Sequence, residues 1–306
     1  MCNLPLQQSA YTNKYLVPES HGPEESRHGE GGKLTVCIAA ICDKSKALVL
    51  ASDCMITSDG LLLNFEHPCK KMSLLAGCVA LTAGDALAYT ELFDMANTEV
   101  EKLKAPTVAE VVARLKGCYQ TIRRIEITER ILIPSGFDDI TSFHMAQNSL
   151  VRELAINIQK KIETYDHGLA IIIAGITNGI AHIYEISNPG TSRCFDSLGF
   201  HVIGTGLPHA INALVSRGCN QETPLDETLM IVYEAKKMAE RAPGVGSVFT
   251  DMGIMCNGKI YQLSRDKIDG ELNSIYDKWR FGGDPTWTDD ITSFLKGVFD
   301  DGKTDG

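Results

Sequence analysis

The stretch TVCIAAICDKSKALVLASD, from Thr35 to Asp53, decides how this chain is read. Two short apolar runs flank Asp43-Lys44-Ser45-Lys46, a polar tetrapeptide suited to a tight turn. Each run is strand length, so the pattern predicts two buried strands joined by that turn. The runs are apolar throughout and do not alternate with polar residues. They therefore imply sheets covered on both faces.

Strands are also expected at Leu61–Phe65 and Cys78–Thr82. At Gly84-Asp85 the period changes: Leu87, Ala88, Leu92, Met95 and Ala96 recur at helical spacing, with Asp85 as N-cap. A second helix starts at Thr107, whose partner Glu110 completes a capping box, and is expected to run on towards Pro134-Ser135-Gly136. A third is expected between Gln147 and Thr164. Strands return in LAIIIAGI, AHIYEIS and RCFDSLGFHVIG, separated by turns at Asn178-Gly179 and Asn188-Pro189-Gly190. Helices near Pro208–Ser216 and Leu225–Arg241 precede a hairpin turning at Asn257-Gly258, a type I′ signal. The tail from Asp266 is polar, with one amphipathic segment near Ile291–Phe299. This order supports a layered α+β fold.

Composition narrows the function. The 306 residues carry 39 acidic against 29 basic side chains, a formal charge of -10, and no basic run. That balance argues against nucleic acid, whose phosphates require clustered Lys and Arg. Ten cysteines are spread along the chain without paired C-x-x-C spacing, and several sit inside apolar runs, so reduced core cysteines in a cytoplasmic protein are expected. The eight histidines show no metal-ligand spacing, and no metal or cofactor is expected. No signal peptide is evident at Met1, and no apolar stretch approaches the ~20 residues that span a bilayer, so no membrane partner is expected. Residues 1–33 are polar and aperiodic and read as a disordered arm.

The Thr35–Asp53 block, then KKMSLLAGCVALTAGDA, then LAIIIAGITNGIAHIYEISNPG and VIGTGLPHA, together resemble the proteasome β-type and bacterial proteasome-like N-terminal-nucleophile hydrolases. The resemblance covers most of residues 34–264, leaving 265–306 as a C-terminal extension and 117–165 as a helical insertion. It implies a four-layer αββα sandwich. It also implies Thr35 as nucleophile, Asp53 and Lys71 as its charged partners, the backbone N–H of Gly84 as oxyanion donor, and Thr205 where the family keeps a serine hydroxyl. The family's late Asp and Ser are absent: in ERAPGVGS, Ala242 and Val245 stand at those positions. Cys37 is a second nucleophile candidate, since its spacing to Asp53 is closer to the family's.

The chemistry that the resemblance implies is coherent. A hydroxyl is a poor nucleophile near neutral pH, whereas a free α-amine, with a pKa of roughly 7.7–8.0, can take its proton. Position 35 is internal, so the Leu34–Thr35 bond has to be absent or opened; initiation at the Leu34 codon followed by trimming is one route. The expected function is a self-assembling threonine-nucleophile peptide or amide hydrolase, with homo-oligomeric, ring-like partners. An inactive assembly subunit and a small-amide hydrolase are the alternatives.

Overall fold

The computed structural model describes residues 35–58, 63–67, 71–84, 88–281 and 285–301. In chain order the strands are β1 (Cys37–Cys42), β2 (Ala47–Asp53), β3 (Met55–Ser58), β4 (Leu63–Glu66), β5 (Met72–Leu75) and β6 (Cys78–Ala83). Helices α1 (Ala88–Val100), α2 (Val108–Ile127), α3 (Ile140–Ala146) and α4 (Arg152–Thr164) follow, then β7 (Ala170–Thr177), β8 (Ile180–Ser187), β9 (Thr191–Cys194) and β10 (Phe200–Ile203). After α5 (Leu207–Ser216) and α6 (Leu225–Ala239) come β11 (Thr250–Cys256), β12 (Lys259–Gln262), α7 (Asn273–Arg280) and α8 (Trp287–Asp301).

The sheets are antiparallel. One has the order β10-β1-β2-β11-β12, the other β5-β6-β7-β8-β9, and β3-β4 is a separate two-stranded ribbon. Strand alternation explains the unbroken apolar runs. Cys37, Ala39, Ile41, Leu48 and Leu50 share a core with Val79, Leu81, Ile172 and Ile183 of the other sheet. Their neighbours Ile38, Ala40, Val49 and Ala51 point the opposite way, onto Leu229, Val232 and Tyr233 of α6. Ala80, Ile171 and Ile173 likewise face Val111, Leu115 and Tyr119 of α2. Each fully buried Leu or Ile contributes about 1.5–3 kcal/mol, so both faces favour the strand assignment.

The four-layer αββα expectation is corrected here. The described residues form a mixed α/β fold of antiparallel sheets that does not reduce to a plain four-layer stack. The β3-β4 ribbon lies outside both five-stranded sheets. Ile127, Ile131, Leu132, Phe143 and Ile158 build a core of their own, distinct from the sheet cores. The C-terminal α7 and α8 are no loose tail, since Ile275, Tyr276, Ile291 and Phe294 are buried with α5 and α6.

Other local expectations are refined. The Thr107–Glu110 capping box forms, with Glu110 N–H donating to Thr107 Oγ1 at 3.3 Å and Thr107 N–H to Glu110 Oε2 at 2.8 Å. The helix behind it leaves regular α geometry at Ile127, passes through wider and tighter turns, and stops at Gly136, whose φ is 87°. Within residues 117–165, Cys118, Tyr119 and Ile122 pack in the α2–sheet core, whereas Ile127, Ile131, Leu132, Phe143 and Ile158 pack in the separate one. RCFDSLGFHVIG is not one strand either, because β9 pairs with β8 while β10 crosses to pair with β1. The Asp43-Lys44-Ser45 turn holds φ of 51°, 56° and 62°, a left-handed conformation that side chains disfavour. Asp43 N–H donates to Thr223 O at 2.9 Å, and Ser45 O accepts from Ala181 N–H of β8 at 2.8 Å, which holds it. The N-terminal arm 1–33, Leu34, Leu61, Asp85 and Leu87 lie outside the described residues.

Candidate active site

Asp53 is the last residue of β2 and is 0% exposed. Moving a carboxylate out of water costs several kcal/mol unless donors and a cation surround it. Four donors do. Lys71 Nζ is 2.8 Å from Asp53 Oδ1, Val36 N–H donates to the same oxygen at 3.2 Å, and the Thr35 hydroxyl also donates to it. The remaining oxygen, Oδ2, accepts from Gly246 N–H at 2.8 Å.

Thr35 completes the cluster. Its Oγ1 accepts from Lys71 Nζ while donating to Asp53 Oδ1, so the hydroxyl lies between a cation and an anion. Thr35 N donates to Thr205 Oγ1 at 3.4 Å, and Thr35 O accepts from Gly206 N–H at 3.2 Å. Gly204 makes this close approach possible. Its φ is 96°, and a Cβ there would stand 2.3 Å from Thr35 O. Thus β2, the segment before β5 and the turn after β10 converge on one residue.

Gly84 stands directly after β6 with φ of 133°, and a Cβ there would meet Gly168 O at 2.1 Å. Among the described residues it makes no hydrogen bond to the other four predicted residues. Its neighbour Thr82 does join the cluster, donating its N–H to Lys71 O at 3.3 Å and accepting from Cys37 Sγ at 3.3 Å. Cys37 points into the core between the sheets. Burial pushes its thiol up to about 12, outweighing the downward pull of the Lys71 cation. A buried, protonated thiol is a weak nucleophile, so the site geometry favours Thr35 over Cys37.

Three participants were not read from the sequence. Gly246 acts through its backbone N–H, which leaves no side-chain signature. Lys236 follows the amphipathic pattern of α6, yet it is 0% exposed, with Nζ 2.6 Å from Glu240 Oε1 and 3.1 Å from Gly246 O. Glu66 of β4 accepts Val248 N–H through both oxygens, at 2.9 and 3.2 Å. The glycine-rich ERAPGVGS, which lacks the expected Asp and Ser, is the signal that the sequence offers for this turn. Ala242 and Val245 are both buried in the core beneath α6. Among the described residues, no group of three or more His, Cys, Asp or Glu comes together as a metal site.

The arrangement is a hydroxyl held in a buried polar cluster at one end of a fold of two five-stranded antiparallel sheets. A solved structure with a similar fold is that of Anbu, the Gly-1 mutant, from Hyphomicrobium sp. strain MC1. The TM-score is 0.55 at 17% sequence identity, over 81% of this chain and 94% of that chain. At that identity the likeness is one of fold. No family model matches the sequence, and no curated protein does.

Proposed function

We propose that this chain is a proteasome-like hydrolase that cleaves peptide or amide bonds with Thr35 Oγ1 as nucleophile. One observation carries the reading: Thr35 Oγ1 lies in hydrogen-bond contact with both the Asp53 carboxylate and the Lys71 ammonium, in a buried site. With the bond before Thr35 open, its α-amine takes the hydroxyl proton as Oγ1 attacks the scissile carbonyl carbon. Lys71 stabilises the oxygen as it loses that proton, and Asp53 keeps the ammonium charged and aimed. The Gly84 N–H receives charge developing on the carbonyl oxygen, a contribution on the order of 3 kcal/mol for one such donor. The C–N bond breaks as the amine takes the proton, and water then releases the acyl group from Oγ1. Thr205 Oγ1, beside Thr35 N, holds the new chain end in place.

A self-assembled oligomer and a cytoplasmic location belong to the same proposal. The seven buried free cysteines among the described residues suit a reducing compartment. No helix among the described residues is long and apolar enough to cross a membrane. A second reading, an inactive assembly subunit, is favoured by Ala242 and Val245 occupying the family's Asp and Ser positions. Protein beginning at Thr35, prepared beside the full chain, is incubated with an electrophilic threonine-protease probe and digested for mass spectrometry. An adduct on Thr35, lost in Thr35→Ala, is the expected result. Assembled protein that stays unlabelled would establish the second reading instead.

A further inference from the structure

Among the described residues, Lys236 is a fully buried lysine that the proposed chemistry leaves unused. Its ammonium is fully enclosed beneath the candidate site, and a surface-type pairing does not explain why. Glu240 Oε1 already has a second partner, the more exposed Lys237, at 3.2 Å. An i,i+4 pair serving only the helix end gains nothing from taking its cation out of water. What the enclosed position does provide is the second contact, to Gly246 O at 3.1 Å. Gly246 is also the residue whose N–H holds Asp53 Oδ2 at 2.8 Å.

The turn that carries Gly246 is held from its other side as well. Glu66 takes the Val248 N–H and lies so close to Gly246 that a Cβ there would be 2.3 Å from Glu66 Oε1. Gly246 is thus gripped between an ammonium from α6 and a carboxylate from the β3-β4 ribbon, with its N–H aimed at Asp53. This backbone donor binds Asp53 where the chain lacks the late Asp and Ser that the resemblance implied. Desolvation pulls the Lys236 pKa down while Glu240 holds it up, as expected of a cation kept in place by its contacts.

We infer that Lys236 is a positioning residue for the Thr35–Asp53–Lys71 site, acting through Gly246. It fixes the Gly246 carbonyl, so that the N–H of the same residue stays on Asp53 Oδ2 and Oδ1 stays turned to Thr35 and Lys71. The inference rests on the hydrolase reading for its consequence, but its geometry is tested without it.

The test is amide hydrogen exchange at Gly246 in the full chain, followed by NMR, in wild type, Lys236→Met, Lys236→Gln and Glu240→Gln. Lys236→Met is expected to speed exchange at Gly246 about tenfold, the worth of one hydrogen bond, while β2 and β11 stay protected. Lys236→Gln retains a neutral donor for Gly246 O and is expected to fall between; it also carries the test if the Met variant does not fold. Glu240→Gln keeps the Lys236 side chain, whose amine donates to Gly246 O in either charge state, and is expected to leave Gly246 protected. Unchanged exchange in the Lys236 variants, or equal loss of protection in Glu240→Gln, overturns the inference, because the pair is then only a helix-end salt bridge. In the preparation where Thr35 is labelled, Lys236→Met should lower the maximal labelling rate about tenfold with little change in probe affinity. If wild-type Thr35 never labels while the exchange pattern holds, the hydrolase reading falls and the anchoring of Asp53 stands.

Discussion

Lys71 Nζ and Asp53 Oδ1, 2.8 Å apart, join the two five-stranded sheets at one end: Asp53 closes β2 and Lys71 immediately precedes β5. The Lys71 side chain is 11% exposed and that of Asp53 is 0% exposed, so the pair is nearly dry. Such a pair gains little over an apolar substitute but is costly to break on one side. Lys71→Met is therefore expected to lower stability by about 3–5 kcal/mol, because it leaves a buried carboxylate without its cation. Adding Asp53→Asn should recover part of that loss. Urea unfolding at neutral pH measures both, and strictly additive losses would sink the account of a coupled pair.

The glycine after β6 provides a separate test of the backbone at the site. Gly84→Ala places a methyl 2.1 Å from the Gly168 carbonyl at a φ of 133°. Backbone must move on one side, and a loss of more than ~2 kcal/mol is expected. Gly77→Ala is the control: its φ is 81°, but nothing lies within 4 Å of the added carbon, and a cost of about 1 kcal/mol is expected. Equal unfolding midpoints for the two variants would show that the Gly168 approach imposes no constraint.

Alkaline pH should destabilise the fold through its buried thiols. Burial pushes Cys37, Cys54 and Cys219 up to about 12 and Cys78 to about 11. In the unfolded chain a thiol titrates at about 8.5. The folded state therefore binds these protons more tightly. Its advantage is complete below the unfolded value and is lost as pH rises towards the folded ones. Each thiol contributes a slope of about 1.4 kcal/mol per pH unit across that window. The urea midpoint should fall sharply from pH 8 to pH 10, and Cys78→Ala should flatten the fall. A midpoint that does not change with pH over that range would refute this.

The separate core around Phe143 predicts local unfolding. Phe143 is 0% exposed and packs edge-on against Phe137 with ring centres 5.4 Å apart, within a cluster that includes Leu132 and Ile158. Phe143→Ala should cost about 3–5 kcal/mol, confined to residues 127–165. Hydrogen exchange should show protection lost there while β1 and β2 keep theirs. Loss of protection in both regions together would mean one cooperative unit.

Much of this architecture was legible in short stretches of sequence, because the forces that set it act over a few residues. The two runs around Asp43–Lys46 became β1 and β2, Asn257 and Gly258 adopted the paired left-handed turn of a tight hairpin, and Thr107 capped its helix. The resemblance named Thr35, Asp53 and Lys71, and the three side chains meet. The four-layer description did not survive, and RCFDSLGFHVIG divided between two sheets, because strand partners are chosen by packing across the whole chain. Periodicity carries no record of that choice. Gly246 and Lys236 stayed hidden for the same reason. A backbone N–H has no residue type, and a lysine on an amphipathic helix reads as solvated until the fold places the carbonyl of Gly246 over it. Local pattern specifies which segments form strands and helices; only their convergence in space decides which of them surround one carboxylate.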